Sequence, residues 1–147
     1  MTIKSFRGLI ADGTQDSIIL HTNDGSTGYR IKKFQVIQNT PGTGQSVEAC
    51  MKIYKVQQTT IDNVVDFSDQ TLLGVAYYQD NNGTAENSTL DVIFDGEIFN
   101  QDIFITHVDS DGAVPMNYYL ELEHINLDLN ENTVATLRDL RNETLTV

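Results

Sequence analysis

Residues 90–127 constrain the fold more than any other part of this sequence. They contain three runs rich in Ile, Phe, Tyr, Leu and Val, and two turn-forming segments separate these runs: Asp95-Gly96 and Asp109-Ser110-Asp111-Gly112. An Asp-Gly pair between apolar runs favours a β-hairpin, here between residues 90–94 and 98–108. In residues 118–127 apolar and polar side chains alternate, which is typical of a strand with one buried and one solvated face. We therefore predict that this region folds as an antiparallel meander.

The remainder of the chain also has the pattern of short strands separated by turns. The predicted strands upstream are residues 3–10, 17–21, 29–38, 47–56 and 72–78, with a brief extended piece at 64–67. Eight or nine short strands with turn signals every 8–12 residues indicate an all-β fold. We predict an antiparallel, jelly-roll-like β-sandwich, with a partly open barrel as the second choice.

Two of the predicted strands have distinctive patterns. In residues 29–38, Tyr29 and Ile31 are in one phase of the alternation and Phe34 and Val36 in the other, which predicts a β-bulge near Lys32. The lysines at 32 and 33 also suit an edge strand. Residues 72–78 are almost continuously apolar, as expected for a strand that is covered on both faces.

The pattern changes near the C-terminus, where residues 130–142 predict one short amphipathic helix. Residues 130–133 offer capping side chains, and Val134, Leu137 and Leu140 recur at a spacing of three. Arg138 and Arg141 are predicted to lie in the last turn, where cations interact favourably with the helix dipole. Because so short a helix is unstable alone, its apolar stripe must dock on the sandwich or on a neighbouring subunit.

Length and composition exclude several classes of protein. A chain of 147 residues fits one domain, residues 1–147, and its single cysteine, Cys50, is expected to be a small buried residue. The net charge of −12 opposes binding to nucleic acid and to anionic membranes, and it suits docking on a basic partner. Residues 1–10 lack the apolar segment of a signal peptide.

The sequence motifs that suggest catalysis or metal binding are weak. Glu121 and Glu123 share one face of a strand about 7 Å apart, near the spacing of an inverting glycosidase, but we interpret them as the solvated face of an amphipathic strand. Asp109, Asp111 and Gly112 resemble a fragment of a calcium loop, as do Asp80, Asn82 and Gly83, although turns require the same residues. His21, His107 and His124 lack metal-ligand spacing. We predict no catalytic residue, no cofactor and no metal ligand.

Three segments are least explained by a self-contained sandwich: the loops at residues 80–88 and 109–115, and the helix. One tyrosine of each adjacent pair, 77/78 and 118/119, is also expected near the surface, where Tyr favours protein contacts. The candidate interaction surface consists of Asp80, Asn82, Asp109, Asp111, Tyr119 and Leu137.

Several of these segments resemble a group of small structural proteins in the virions of tailed phages, especially marine phages. The resemblance is carried by residues 94–103 (FDGEIFNQDI), 117–123 (NYYLELE), 127–138, 4–8 and 66–72. It implies a non-enzymatic protein of the virion, assembled in the cytoplasm of the host bacterium, that decorates or cements the capsid. The implied partners are the major capsid protein or other virion proteins, and the implied state is a homo-oligomer. No binding residue carries over, because the group has no functional motif.

Other functions remain open. A tail or neck component is the near alternative within the virion. A carbohydrate-binding module is the alternative from another class, but the sequence has no Trp, so only tyrosines 77, 78, 118 and 119 are candidates to stack on a sugar. A glycan-cleaving enzyme built on Glu121 and Glu123 is the third class.

Overall fold

The computed structural model describes residues 2–80 and 87–146, excepting the side chains at 87, 88, 129, 132 and 140–146. The described residues form eight strands and one helix. These are β1 (Thr2–Ile10), β2 (Thr14–Ile18), β3 (Thr27–Gln38), β4 (Val47–Tyr54), β5 (Leu72–Asp80), β6 (Asn87–Ile93), β7 (Ile103–Asp109), β8 (Met116–Asn126) and α1 (Leu129–Thr146).

The strands form two antiparallel sheets that pack as a jelly-roll-like sandwich, as predicted. One sheet has the order β1-β8-β3 and the other β2-β7-β4-β5-β6. An eight-stranded jelly roll pairs its strands as 1-8-3-6 and 2-7-4-5. The chain keeps all of these neighbours except one, because β6 pairs with β5 and extends the second sheet.

The predicted meander is wrong. β6 and β7 belong to the same sheet but are not neighbours, and β8 lies in the opposite sheet. Asp95-Gly96 does form a turn, in which the Glu97 N–H donates to the Phe94 carbonyl, but the next strand begins only at Ile103. Between them Phe99 and Tyr29 exchange two backbone hydrogen bonds of 2.8 and 2.9 Å. The segment therefore crosses to the start of β3, so the local turn does not pair its flanking strands.

Both sheets contribute one face to a shared core. Phe34 and Leu120 from the first sheet meet Met51, Ile53 and Ile105 from the second, all of them fully buried. The strand predicted to be covered on both faces is β5, whose first five residues are buried. Cys50 is also buried, as predicted, in a smaller cluster on the outer side of the second sheet.

The predicted bulge in β3 is confirmed. Ile31 pairs with Leu122 and Lys33 with Glu121, which leaves Lys32 as the extra residue. Because the bulge shifts the alternation by one residue, Ile31 and Phe34 both face the core. β3 is an edge strand of its sheet, which agrees with the lysine pair.

Residues 55–71 contain no strand, so the extended piece predicted at 64–67 is absent from the sheets. A buried lysine of β4 holds part of this segment: Lys52 Nζ donates to Asp62 Oδ1 at 3.0 Å and to the Val64 carbonyl at 2.6 Å. No signal in the sequence distinguishes Lys52, since a lysine at an outward strand position is normally solvated.

Helix α1 differs from its prediction in length, capping and packed face. Its N-terminal cap is Asp128, whose Oδ1 accepts the Glu131 N–H at 2.8 Å, and no basic residue lies in its last turn. Val134 and Leu137 are each 62% exposed, so these two residues of the predicted stripe do not dock on the sandwich. The Leu140 side chain lies outside the described residues.

The packed face of α1 is instead small and polar. Ala135 and Asp139 are buried, and the Asp139 carboxylate lies 3.6 Å from Lys55 Nζ and accepts the Asn100 N–H at 3.3 Å. Burial raises the pKa of Asp139, and the Lys55 charge opposes that rise. The buried polar partners at Lys55 and Asn100, not the apolar stripe, therefore set which face of the helix turns inward.

Candidate interaction surface

The residues of the predicted interaction surface do not form one patch. Asp80 lies at the end of β5, where its carboxylate accepts a 2.8 Å hydrogen bond from Gln38, the last residue of β3. Leu137 lies beside Gly25, just before the start of β3. These two are therefore at opposite ends of the sandwich. Asn82 lies outside the described residues, and Asp111 is exposed.

Asp109 is not a surface residue, which corrects its assignment to an interaction surface. It is 5% exposed, and its carboxylate accepts the N–H groups of Glu48 at 3.0 Å, Asp111 at 3.0 Å and Val114 at 2.8 Å. Burial alone raises the pKa of this carboxyl, but the backbone N–H groups outweigh it and the pKa is lowered. Asp109 thus organises the loop that precedes β8.

The hydrogen bonds that the Asp109 carboxylate accepts also bear on whether this loop binds calcium. The Asp109 oxygens are directed at backbone donors, which leaves them poorly placed to ligate a cation. Within residues 2–80 and 87–146, no group of three or more His, Cys, Asp or Glu side chains is arranged to hold a metal ion.

The same loop contains Gly112, which packs closely against the backbone of Ser46. A Cβ added at Gly112 would clash with the Ser46 carbonyl oxygen, whereas one added at Gly96 would meet nothing within 4 Å. We expect Gly112→Ala to lower the free energy of unfolding by about 2 kcal/mol, because backbone must move to admit the methyl group. Gly96→Ala is the control and should change it by less than about 0.5 kcal/mol. Urea unfolding measures both, and equal effects would contradict the clash.

The three histidines do not approach one another in the described structure. His21 follows β2, and its ring lies 2.7 Å from Asp102. His107 is buried on β7 against the Val114 carbonyl, and His124 stacks edge-on against Tyr29. Each ring has a structural neighbour, as is usual for isolated histidines.

Glu121 and Glu123 lie on the outer face of the middle strand of the three-stranded sheet. Glu123 accepts a 2.5 Å hydrogen bond from Arg30, and this contact lowers the pKa of Glu123. Glu121 accepts the Tyr119 hydroxyl at 2.7 Å. A glycosidase general acid requires a raised pKa, so the Arg30 pair opposes that role for Glu123.

The tyrosine pairs divide between the two faces as predicted. Tyr118 faces the core and its ring covers Gly8 on the neighbouring strand, while Tyr119 is 37% exposed on the outer face. Tyr77 and Tyr78 are half-buried. Among these four rings, Tyr119 therefore offers the most accessible contact.

Around Tyr119 the outer face of the β1-β8-β3 sheet forms an open trough of about 750 Å³. In one row Arg7, Tyr119 and Gln35 lie side by side on the three strands. Leu9, Asn117 and Ile37 form the next row, and both Leu9 and Ile37 are about half exposed. The sequence pattern predicted the exposure of Tyr119 but not this trough, because only the pairing of β1 and β3 with β8 assembles the trough.

Comparisons with known proteins give little further information. No protein-family model matches the chain, and no curated protein matches it. One matching solved structure is that of a protein from Bacteroides thetaiotaomicron provisionally assigned as a glycoside hydrolase, at 14% identity and a TM-score of 0.30. The match covers 78% of this chain but only 41% of that protein, so the chain spans less than half its length. So low a similarity carries no argument about function.

No helix within the described residues is long and apolar enough to cross a bilayer.

Proposed function

We propose that this protein is a structural component of a tailed-phage virion, which decorates or cements the capsid through protein–protein contacts. Its partners would be the major capsid protein or other virion proteins, and its location the virion. The resemblance of residues 94–103, 117–123 and 127–138 to small virion proteins motivates this proposal.

The observation that supports it most is the exposure of large apolar side chains outside a well-filled core. Val134 and Leu137 lie exposed on α1, and Leu9, Ile37 and Tyr119 lie exposed on the three-stranded sheet. Exposed apolar residues that gather on one element or one face mark sites of protein association. In an assembled particle, such residues would contact the neighbouring proteins.

The test is the copy number of the protein, measured by quantitative mass spectrometry on purified particles and scaled to the major shell protein. Hundreds of copies per particle are expected for a decoration protein. A dozen or fewer would place it instead in the tail or neck. Absence from particles would overturn the proposal and favour a free binding module.

The exposed helix residues predict a homo-oligomer. We expect Leu137→Asp to weaken subunit association by about 30-fold, because burying a carboxylate in an apolar contact is costly. It should leave the β circular dichroism unchanged, since Leu137 is 62% exposed in the subunit. Light scattering coupled to size exclusion reports the subunit number.

The matched control is Leu90→Asp on β6, where the leucine is similarly exposed at 64%. This variant should retain the wild-type subunit number. A Leu137→Asp protein with an unchanged subunit number would show that α1 does not mediate the association.

A further inference from the structure

The charges of this acidic protein are strongly segregated. The strands of the three-stranded sheet carry five basic residues and only two acidic ones, so their net charge is +3. The remainder of the chain has four basic and nineteen acidic residues, a net charge of −15. The basic residues of the sheet are Lys4, Arg7, Arg30, Lys32 and Lys33.

Neighbouring groups neutralise some of these charges and leave others free. Arg30 bonds Glu123, and Lys32 lies 3.9 Å from the same carboxylate. Lys4 lies over the Tyr29 ring. Within the part of the chain that the structure describes, Arg7 and Lys33 are exposed and form no ion pair. Both face outward from the sheet, in the rows that contain Tyr119 and Glu121.

The free cations flank exposed apolar residues. Arg7 borders the trough that Leu9, Ile37 and Tyr119 line, and Ile3 is exposed farther along the same face. The core does not require these side chains, because the inward residues of the same strands already fill it. The outer face thus combines apolar contact area with unpaired positive charge on a molecule that is otherwise negative.

We propose that the outer face of the β1-β8-β3 sheet is the docking surface of this protein, and that it binds a protein surface with carboxylates around an apolar contact. This inference rests on the proposed function and identifies the face that would meet the capsid shell. Arg7 and Lys33 would pair with the partner's carboxylates, while Leu9, Ile37 and Tyr119 contact its apolar centre. The acidic remainder would then face solvent, where its charge opposes aggregation of particles.

Charge complementarity favours this occupant over the alternatives. An isologous contact with a second copy would bring two positively charged outer faces together, so like charges oppose that arrangement at this face. A glycan would require rings for stacking, and Tyr119 is the one aromatic side chain among the residues that line the outer surface of the trough. Leu9 and Ile37 suit an apolar protein contact better than a sugar.

The experiment measures binding of the purified, labelled protein to phage particles grown without it, by co-sedimentation. In Arg7→Gln/Lys33→Gln, binding should weaken by about tenfold, and the loss should shrink at high salt. Its control, Ser17→Glu/Gln57→Glu, reaches the same net charge by changing exposed residues outside this sheet and should bind as wild type.

A second pair of variants tests the apolar part. Leu9→Ser/Ile37→Ser should weaken binding by about 30-fold. Val65→Ser/Leu90→Ser removes two comparably exposed apolar side chains outside this face and should bind as wild type. All four positions are exposed, so folding should be retained and is checked by circular dichroism.

The outcomes separate this inference from the proposed function. Wild-type affinity in both the charge and the serine variants of the outer face would overturn the docking face alone. Heparin binding by the wild-type protein with the same sensitivity to Arg7 and Lys33 would overturn the assignment to a protein partner. Failure of the wild-type protein to bind particles would overturn both proposals.

Discussion

Asp109→Asn is expected to lower the free energy of unfolding by about 3 kcal/mol. The carboxylate is buried and accepts the N–H groups of Glu48, Asp111 and Val114. An amide retains one acceptor oxygen but turns an NH₂ group towards a backbone donor, so at least one buried N–H loses its partner. Charge-assisted hydrogen bonds and orphaned donors each contribute on the order of 1–3 kcal/mol.

The matched control for this substitution lies two residues away. Asp111→Asn changes the same functional group on an exposed side chain and should shift stability by less than about 0.5 kcal/mol. Urea unfolding at neutral pH measures both variants. Equal effects would show that general charge, not the buried hydrogen bonds, accounts for the loss.

The pH dependence of the same variant gives a second readout. Because the pKa of Asp109 is lowered from its ordinary value of 3.8, the folded state favours the ionised carboxylate. This contribution is present above pH 3.8 and is lost as the pH falls through the lower pKa of the folded state. The wild-type protein should therefore lose more stability than Asp109→Asn over this acid range.

Lys52→Ala is also expected to lower the free energy of unfolding by about 3 kcal/mol. The Lys52 side chain is 2% exposed, and its ammonium donates to Asp62 and to the Val64 carbonyl, 5.3 Å from the centre of the Tyr54 ring. Truncation removes these charge-assisted bonds and leaves a cavity where the stem was. It should also release residues 62–64 from the sheet, which limited proteolysis detects.

Two variants identify which part of Lys52 matters. Lys52→Met keeps much of the stem and should lose less stability than Lys52→Ala, since Asp62 is half exposed and water can solvate its carboxylate. Lys33→Ala removes an exposed lysine from β3 and should be nearly neutral. A loss with Lys52→Ala no larger than that with Lys33→Ala would contradict the structural role of the buried ammonium.

The basicity of Lys52 is consistent with this role. Burial lowers the pKa of the Lys52 ammonium, but hydrogen bonds with Tyr54 and Asp62 and the negative charge of Asp62 outweigh burial and raise this pKa above 10.5. A raised pKa means that the contribution is fully present below pH 10.5 and is lost as the pH rises through the folded-state value. The interaction therefore operates at neutral pH.

Local patterns in the sequence determined which faces of the strands are buried. The alternation at Tyr118 and Tyr119, the phase shift at Lys32 and the continuous apolar run in β5 all correspond to the structure. These predictions succeed because side chains two residues apart share a face of a strand whichever neighbours it pairs with. The pattern likewise predicted the class of fold, an antiparallel sandwich with a C-terminal helix.

Only the tertiary structure decided which strands are neighbours and what the polar residues contact. β6 pairs with β5 and not with β7, Asp109 turns inward, and α1 docks through Asp139 near Lys55 and Asn100. The candidate surface changed for the same reason. Its trough depends on the pairing of β1 with β8, which lies more than a hundred residues later in the sequence. Periodicity encodes burial over a few residues, whereas partners distant in sequence depend on how the whole chain packs.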